Sequence, residues 1–134
     1  MHFKIEINRP LKAEQVAALY KSAGLNRPIA DLPRMQSLLD NANLSLSAWD
    51  GDTLIGLARC LCDYAWVCYL ADLAVAFEHQ RSGVGAALIE ATRTHIGPKC
   101  QLLLLSAPTA MGYYPKVGFT ALDNAFAIPR TKGV

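Results

Sequence analysis

The chain carries almost no excess of charge. Thirteen lysines and arginines stand against eleven aspartates and glutamates, a formal net charge of +2 over 134 residues. No basic cluster and no basic helix face occurs, so nucleic acid is not an expected partner. No apolar run exceeds strand length, which falls short of a membrane span, so no membrane partner is expected either. The opening Met1-His-Phe-Lys-Ile-Glu-Ile alternates apolar and charged residues. That pattern suits a first strand and not a signal peptide. Four cysteines occur, at 60, 62, 68 and 100. No second Cys/His pair has zinc-finger spacing, so no metal is expected. The cysteines are expected as small buried thiols in a reducing cytosol, and the location as cytoplasmic. Repeats, low-complexity tracts and linkers are missing, so a single domain over 1–134 is expected. A hydrophobic fraction of 52% argues against disorder.

What the chain does have is Leu73-Ala-Val-Ala-Phe-Glu-His-Gln-Arg-Ser-Gly-Val-Gly-Ala-Ala-Leu88. An apolar strand stops near Ala76, a polar turn runs from Phe77 to Ser82, and Gly83 and Gly85 open an amphipathic helix. Val84, Leu88 and Ala91 share one face of that helix, with Ile89 beside it. The first turn of a helix holds backbone N–H groups without intrahelical partners, and the macrodipole adds partial positive charge. Glycines let that backbone approach a ligand, so a diphosphate suits the place. A P-loop needs Gly-Lys-Ser/Thr, and Gly85-Ala86-Ala87 stands here instead. A dinucleotide fingerprint needs a third glycine where Leu88 stands, and glycines almost directly after the strand.

Along the rest of the chain, Phe3, Ile5 and Ile7 alternate with charges as in a half-buried strand. Val16, Leu19, Tyr20 and Ala23 follow helical spacing from about Pro10 to Gly24. Leu25 to Ala30 reads as a loop. Asp31 is a good N-cap for a second helix with Met35, Leu38, Leu39 and Ala42 on one face. Leu44 to Trp49 alternates and Asp50-Gly51 marks a hairpin turn. The return strand runs from Thr53 to Cys62, with the next strand over Trp66 to Val75 after a turn at Asp63-Tyr64. Gly97-Pro98 stops the helix opened by Gly83. Gln101 to Ser106 reads as a short buried strand and Thr109 to Lys116 as a short helix. Gly118 to Leu122 and Ala125 to Ile128 read as two closing strands. The fold class is therefore α/β (α+β), a mixed, mostly antiparallel central sheet flanked by helices, in the order β-α-α-β-β-β-α-β-α-β(-β).

Gln80-Arg81-x-Gly83-x-Gly85-Ala86 resembles the pyrophosphate loop of the GNAT-superfamily N-acetyltransferases, and the element order agrees along nearly the whole chain. The resemblance implies acetyl-CoA as co-substrate. It implies transfer of an acetyl group to a primary amine of a small-molecule or peptide acceptor by direct attack on the thioester. It places Gln80, Arg81, Ser82, Gly83, Val84, Gly85 and Ala86 at the cofactor. Arg81 acts there either through its side chain or only through its amide. The resemblance also assigns the backbone of Leu73 and Val75 to the pantetheine and thioester, with Val75 at the acyl oxygen.

Tyr113-Tyr114-Pro115-Lys116-Val117-Gly118-Phe119, with Ala110 four residues before Tyr114, resembles a second motif of that family. It implies that Tyr114 protonates the leaving thiolate. A phenol with a pKa near ~10 can protonate a thiolate whose acid lies near ~8.5. Asp72 is the carboxylate inside the apolar run. It is either a base for the acceptor, by itself or through water, or a structural hydrogen-bond acceptor. There are departures from the family pattern. Ala107 and Pro108 replace a common asparagine position, Pro115 removes a backbone donor, and Tyr69 stands where some relatives carry a glutamate base. These departures motivate an alternative, a non-catalytic acyl-CoA-binding or sensing module of the same fold. The chain is short for the family at its C-terminal end, so one wall of the acceptor site is expected either to be open or to be completed by the partner subunit of a homodimer.

Overall fold

The computed structural model describes residues 2–133. The described residues form two compact units, one up to Leu104 and one from Leu105 onward. The first holds β1 (Lys4–Ile7), α1 (Ala13–Ala23), α2 (Leu32–Asp40), β2 (Leu44–Asp50), β3 (Thr53–Cys62), β4 (Val67–Val75), α3 (Val84–Ile96) and β5 (Gln101–Leu103). One sheet takes the strands in the order β1-β2-β3-β4-β5, antiparallel except for the parallel β4–β5 pair. The switch to parallel pairing follows from α3, because a helical crossover returns the chain in the same direction.

Each face of the sheet has its own core. Val84, Leu88 and Ile96 of α3 pack over Leu44, Leu46, Ala58, Cys60 and Leu70. Val16, Leu19 and Tyr20 of α1 and Met35 of α2 pack with Trp49, Leu57 and Ala74. The helix limits follow from local chemistry. Asp31 caps α2, its carboxylate accepting from the Arg34 N–H at 3.2 Å. Gly24 and Gly97 end α1 and α3 at φ 74° and 82°. At the β3–β4 turn the Asp63 carboxylate accepts from the N–H groups of Ala65, Trp66 and Val67. These bonds hold its carboxyl below the usual range. All four cysteines are buried free thiols, as expected. A hydrogen bond with Cys60, together with burial, pushes the Cys68 thiol up.

Several expectations for the C-terminal part need correction. The fifth strand stops at Leu103 and does not reach Ser106. The short helix is two 3-10 turns, Pro108–Ala110 and Tyr114–Val117. Gly112 and Pro115 disfavour a continuous helix between them, the first by entropy and the second by its missing donor. The strands expected over 118–122 and 125–128 do not form, and Phe126 and Ile128 are exposed. An alternating pattern supplies one apolar face, but a strand also needs a partner edge, which local spacing does not provide.

Gly56 sets how closely α3 lies on the sheet. A Cβ there would stand 2.9 Å from Val84 Cγ1 and 3.0 Å from Leu88 Cδ1. Gly56 pairs with Val75, so this close approach brings the start of α3 down onto the end of β4. Gly56→Ala is expected to destabilise by about 1–3 kcal/mol, the usual range for overpacking. Urea denaturation checks this.

Candidate active site

The structure brings the end of β4, the following turn and the start of α3 together. Phe77–His79 forms a 3-10 turn, and the exposed loop Gln80–Gly83 leads directly into α3. The Gln80 amide donates to the Val75 carbonyl at 3.0 Å, and the Ser82 hydroxyl donates to the His79 carbonyl. Arg81 sits at φ 65°, a left-handed conformation that costs about 1–3 kcal/mol for a residue with a side chain. Gly83, the N-cap, sits at φ 89°, where glycine avoids that cost. Intrahelical bonding begins with the Ala87 N–H donating to the Gly83 carbonyl. The N–H groups of Val84, Gly85 and Ala86 therefore have no partner within the helix. Among the described residues no side chain caps this end, and its first turn carries no acidic residue. The positive end of the α3 dipole is thus left for an anion.

The second part of the site is an open strand edge. β5 pairs with β4 only at Val67, Cys68 and Tyr69, so Leu70–Val75 runs on beyond its end. A β-bulge changes which groups face that edge. The β3–β4 register pairs Arg59 with Asp72 but Cys60 with Leu70, leaving Ala71 unmatched. Before the bulge, the Val67 carbonyl accepts from Asp63 on the β3 side and the Trp66 carbonyl accepts from Gln101 on the β5 side. After it, the Ala76 N–H donates to Ile55 of β3. Backbone groups alternate along a strand, so Leu73 and Val75 point their N–H groups out of the open edge. An uninterrupted strand would have turned both toward β3.

The same reversal places Asp72 on the α1–α2 face, 1% exposed. Its Oδ2 accepts from the Tyr20 hydroxyl at 2.7 Å and from Arg59 Nε at 2.5 Å. Its Oδ1 accepts from Arg27 Nε at 2.6 Å. Burial opposes ionisation, but the Arg59 guanidinium, the Tyr20 hydroxyl and Arg27 outweigh it and hold the carboxyl below its ordinary range. Burial and the adjoining carboxylate push the Tyr20 phenol well up. These contacts describe a clamp. An ionised, fully engaged carboxylate is a poor proton acceptor, so the geometry favours the structural alternative for Asp72.

Tyr114 belongs to the second unit and is described within it. Its ring packs edge-on against Tyr113 and Phe119, at 5.3 and 5.4 Å between centroids. Its carbonyl accepts from the Phe119 N–H at 3.1 Å, across Gly118 at φ 103°. Burial first, and Tyr113 second, raise its phenol above the ordinary value. Sequence reasoning missed Arg27, Arg59, Tyr20 and Gly56. Arg59 had a signal, a lone cation inside an apolar strand. Arg27, in a polar loop, had none. Among the described residues, no group of three or more His, Cys, Asp or Glu residues could hold a metal ion. No helix of theirs is long and apolar enough to cross a membrane.

An uncapped helix end beside an open strand edge suits a ligand with an anionic head and an extended arm that accepts hydrogen bonds. The chain belongs to the GNAT acetyltransferase family, whose acetyltransferase domain model matches residues 11–128. Solved structures share its fold. A Staphylococcus aureus protein of unknown function superposes at a TM-score of 0.81, with 24% identity, over 98% of this chain and 100% of its own. A GNAT-family acetyltransferase from Streptococcus pneumoniae superposes at 0.75, with 24% identity, over 98% and 100%. The aminoglycoside N-acetyltransferase AAC(6')-Iy has been solved with CoA. Its complex with the bisubstrate analogue CoA-S-monomethyl-acetylneamine superposes at 0.71, with 17% identity, over 97% and 99%. At these identities the likeness is one of fold. No curated protein sequence matches the chain.

The Asp72 clamp has a pH signature. Its folded pKa lies below the unfolded value, near ~3.9. Its stabilisation is therefore complete above that value and is lost as pH falls through the depressed folded one. Asp72→Asn should cost about 3–5 kcal/mol at pH 7, because it leaves buried Arg59 without its counter-charge. Denaturation midpoints of the two proteins should converge as pH falls below about 4. A gap that stays constant down to pH 3 would contradict an ionised clamp.

Proposed function

We propose that this chain is an acetyl-CoA-dependent N-acetyltransferase acting in the cytoplasm on a primary amine of a small molecule or peptide. The observation that carries the reading is the meeting of two unsatisfied backbone sets, the α3 N-terminus and the β4 edge beyond β5. In this reading the loop from Gln80 to Ala86 holds the diphosphate, with the amides of the first turn as donors. The Leu73 N–H meets the pantetheine arm and the Val75 N–H meets the acyl oxygen, where negative charge develops during attack. Both units act as one domain, consistent with a family match that runs across them. AAC(6')-Iy, solved with an analogue joining CoA to acetylneamine, supports an amine acceptor.

Tyr114 supplies the proton. A phenol of ordinary pKa, near ~10, is already protonated at neutral pH, the form a general acid requires, and burial of Tyr114 keeps it so. Asp72 contributes position and not proton transfer, and the acceptor reacts as its free amine. The amine nitrogen bonds the acyl carbon as the C–S bond breaks, and Tyr114 protonates the leaving thiolate. The proton shed by the nitrogen passes to water, from which Tyr114 recovers its own.

Thiol release from acetyl-CoA across a panel of amines tests the activity. CoA binding without turnover on any amine would favour an acyl-CoA-binding module. Gly85→Val should weaken CoA binding roughly tenfold or more, the worth of a hydrogen bond to a charged group, with little change in thermal melting. Unchanged affinity in calorimetry would remove the diphosphate from this loop. Tyr114→Phe should slow the single-turnover rate by roughly 10²–10⁴-fold and leave CoA affinity nearly unchanged. Tyr113→Phe is the control, and a Tyr114→Phe rate equal to wild type would end the general-acid role.

A further inference from the structure

The bulge at Ala71 determines which amides face the open edge of β4, and a bulged residue has no partner in the ladder to satisfy its own backbone groups. The Ala71 carbonyl instead accepts from Arg27 Nη2 at 2.9 Å. The same guanidinium donates through Nε to Asp72 Oδ1 at 2.6 Å and through Nη1 to the Asn26 carbonyl at 2.7 Å. Three acceptors around one planar fork fix its orientation, which a flexible ammonium would do less well. Arg27 follows α1, in a stretch without regular structure, and reaches across to β4.

We propose that Arg27 is a positioning residue for acyl-CoA: by holding the Ala71 bulge, it aims the Leu73 and Val75 amides out of the open edge. The inference rests on the acyl-CoA reading of that edge. Arg27 is separable from the rest of the clamp. Without its guanidinium, Asp72 keeps Arg59 and Tyr20, so the buried carboxylate stays paired. The Arg27 side chain is 30% exposed, so water can reach the place it leaves. The fold therefore survives, while the bulge loses the donor that ties it to the loop. The α3 N-terminus makes none of these bonds, so the anion end of the site is unaffected. The pantetheine part of the ligand alone should register the change.

Two probes divide the ligand accordingly. CoA carries both the diphosphate and the pantetheine arm, and ADP carries the diphosphate without the arm. For Arg27→Met, calorimetry should show CoA affinity falling roughly tenfold, the worth of one to two hydrogen bonds. ADP affinity should stay at the wild-type value. If Arg27→Met does not fold, Arg27→Lys keeps a positive charge beside Asp72, loses the planar fork and carries the same test. An unchanged ratio of CoA to ADP affinity in the folded variant overturns the role of Arg27 while leaving the acyl-CoA reading in place. A wild-type chain that binds neither probe overturns the acyl-CoA reading and this inference together.

Discussion

A carboxylate with almost no exposed surface must be neutralised or lost, and the arrangement around Asp72 follows from that constraint. Its partners come from four places: Tyr20 on α1, Arg27 after it, Arg59 on β3, and through Arg59 Nη1 the Leu38 carbonyl of α2 at 3.2 Å. One charge thus ties two helices to the two central strands. A hydrophobic replacement of equal volume could give comparable stability, because buried ion pairs rarely stabilise more than good packing does. What packing could not supply is direction. The hydrogen bonds settle which strand residue sits where, and they do so at the bulge.

The bulge in turn connects structure to chemistry. A sheet strand shows alternate residues to opposite faces and alternate amides to opposite edges. One extra residue at Ala71 reverses both alternations at once. Cys68 and Leu70 face α3 before it, and Ala74 faces α1 and α2 after it. The reversal that buries Asp72 against α1 is therefore the same one that turns the Leu73 and Val75 amides outward. The elements that stabilise the domain and the groups that would meet a thioester are set by a single irregularity.

The helix end depends on a different economy of space. Gly56 removes one side chain from beneath α3, which lets Val84 and Leu88 settle onto β3 opposite the end of β4. The uncapped first turn of α3 is then held close to the open edge instead of a side-chain layer away. Two kinds of unsatisfied backbone, neither remarkable alone, become one candidate site because a glycine in the sheet permits the contact. The cost is local strain at Arg81, and it falls in the loop between them.

Much of this was legible in local pattern. The limits of β3, the C-cap of α1, the N-cap of α2 and both caps of α3 follow from alternation, Gly24, Asp31, Gly83 and Gly97, because each rests on residues a few positions apart. The glycine loop was visible for the same reason. The closing strands were misread because a strand needs an edge, and no local window contains one. Arg27 and Asp72 are 45 residues apart, and the bulge between Arg59 and Cys60 pairing has no signature in Leu70-Ala71-Asp72. By itself the sequence determined the elements up to the fifth strand, their order and a glycine-opened helix start of the kind that suits an anion. Only the tertiary structure decided which way Asp72, Leu73 and Val75 face, since that direction depends on a parity that long-range partners set.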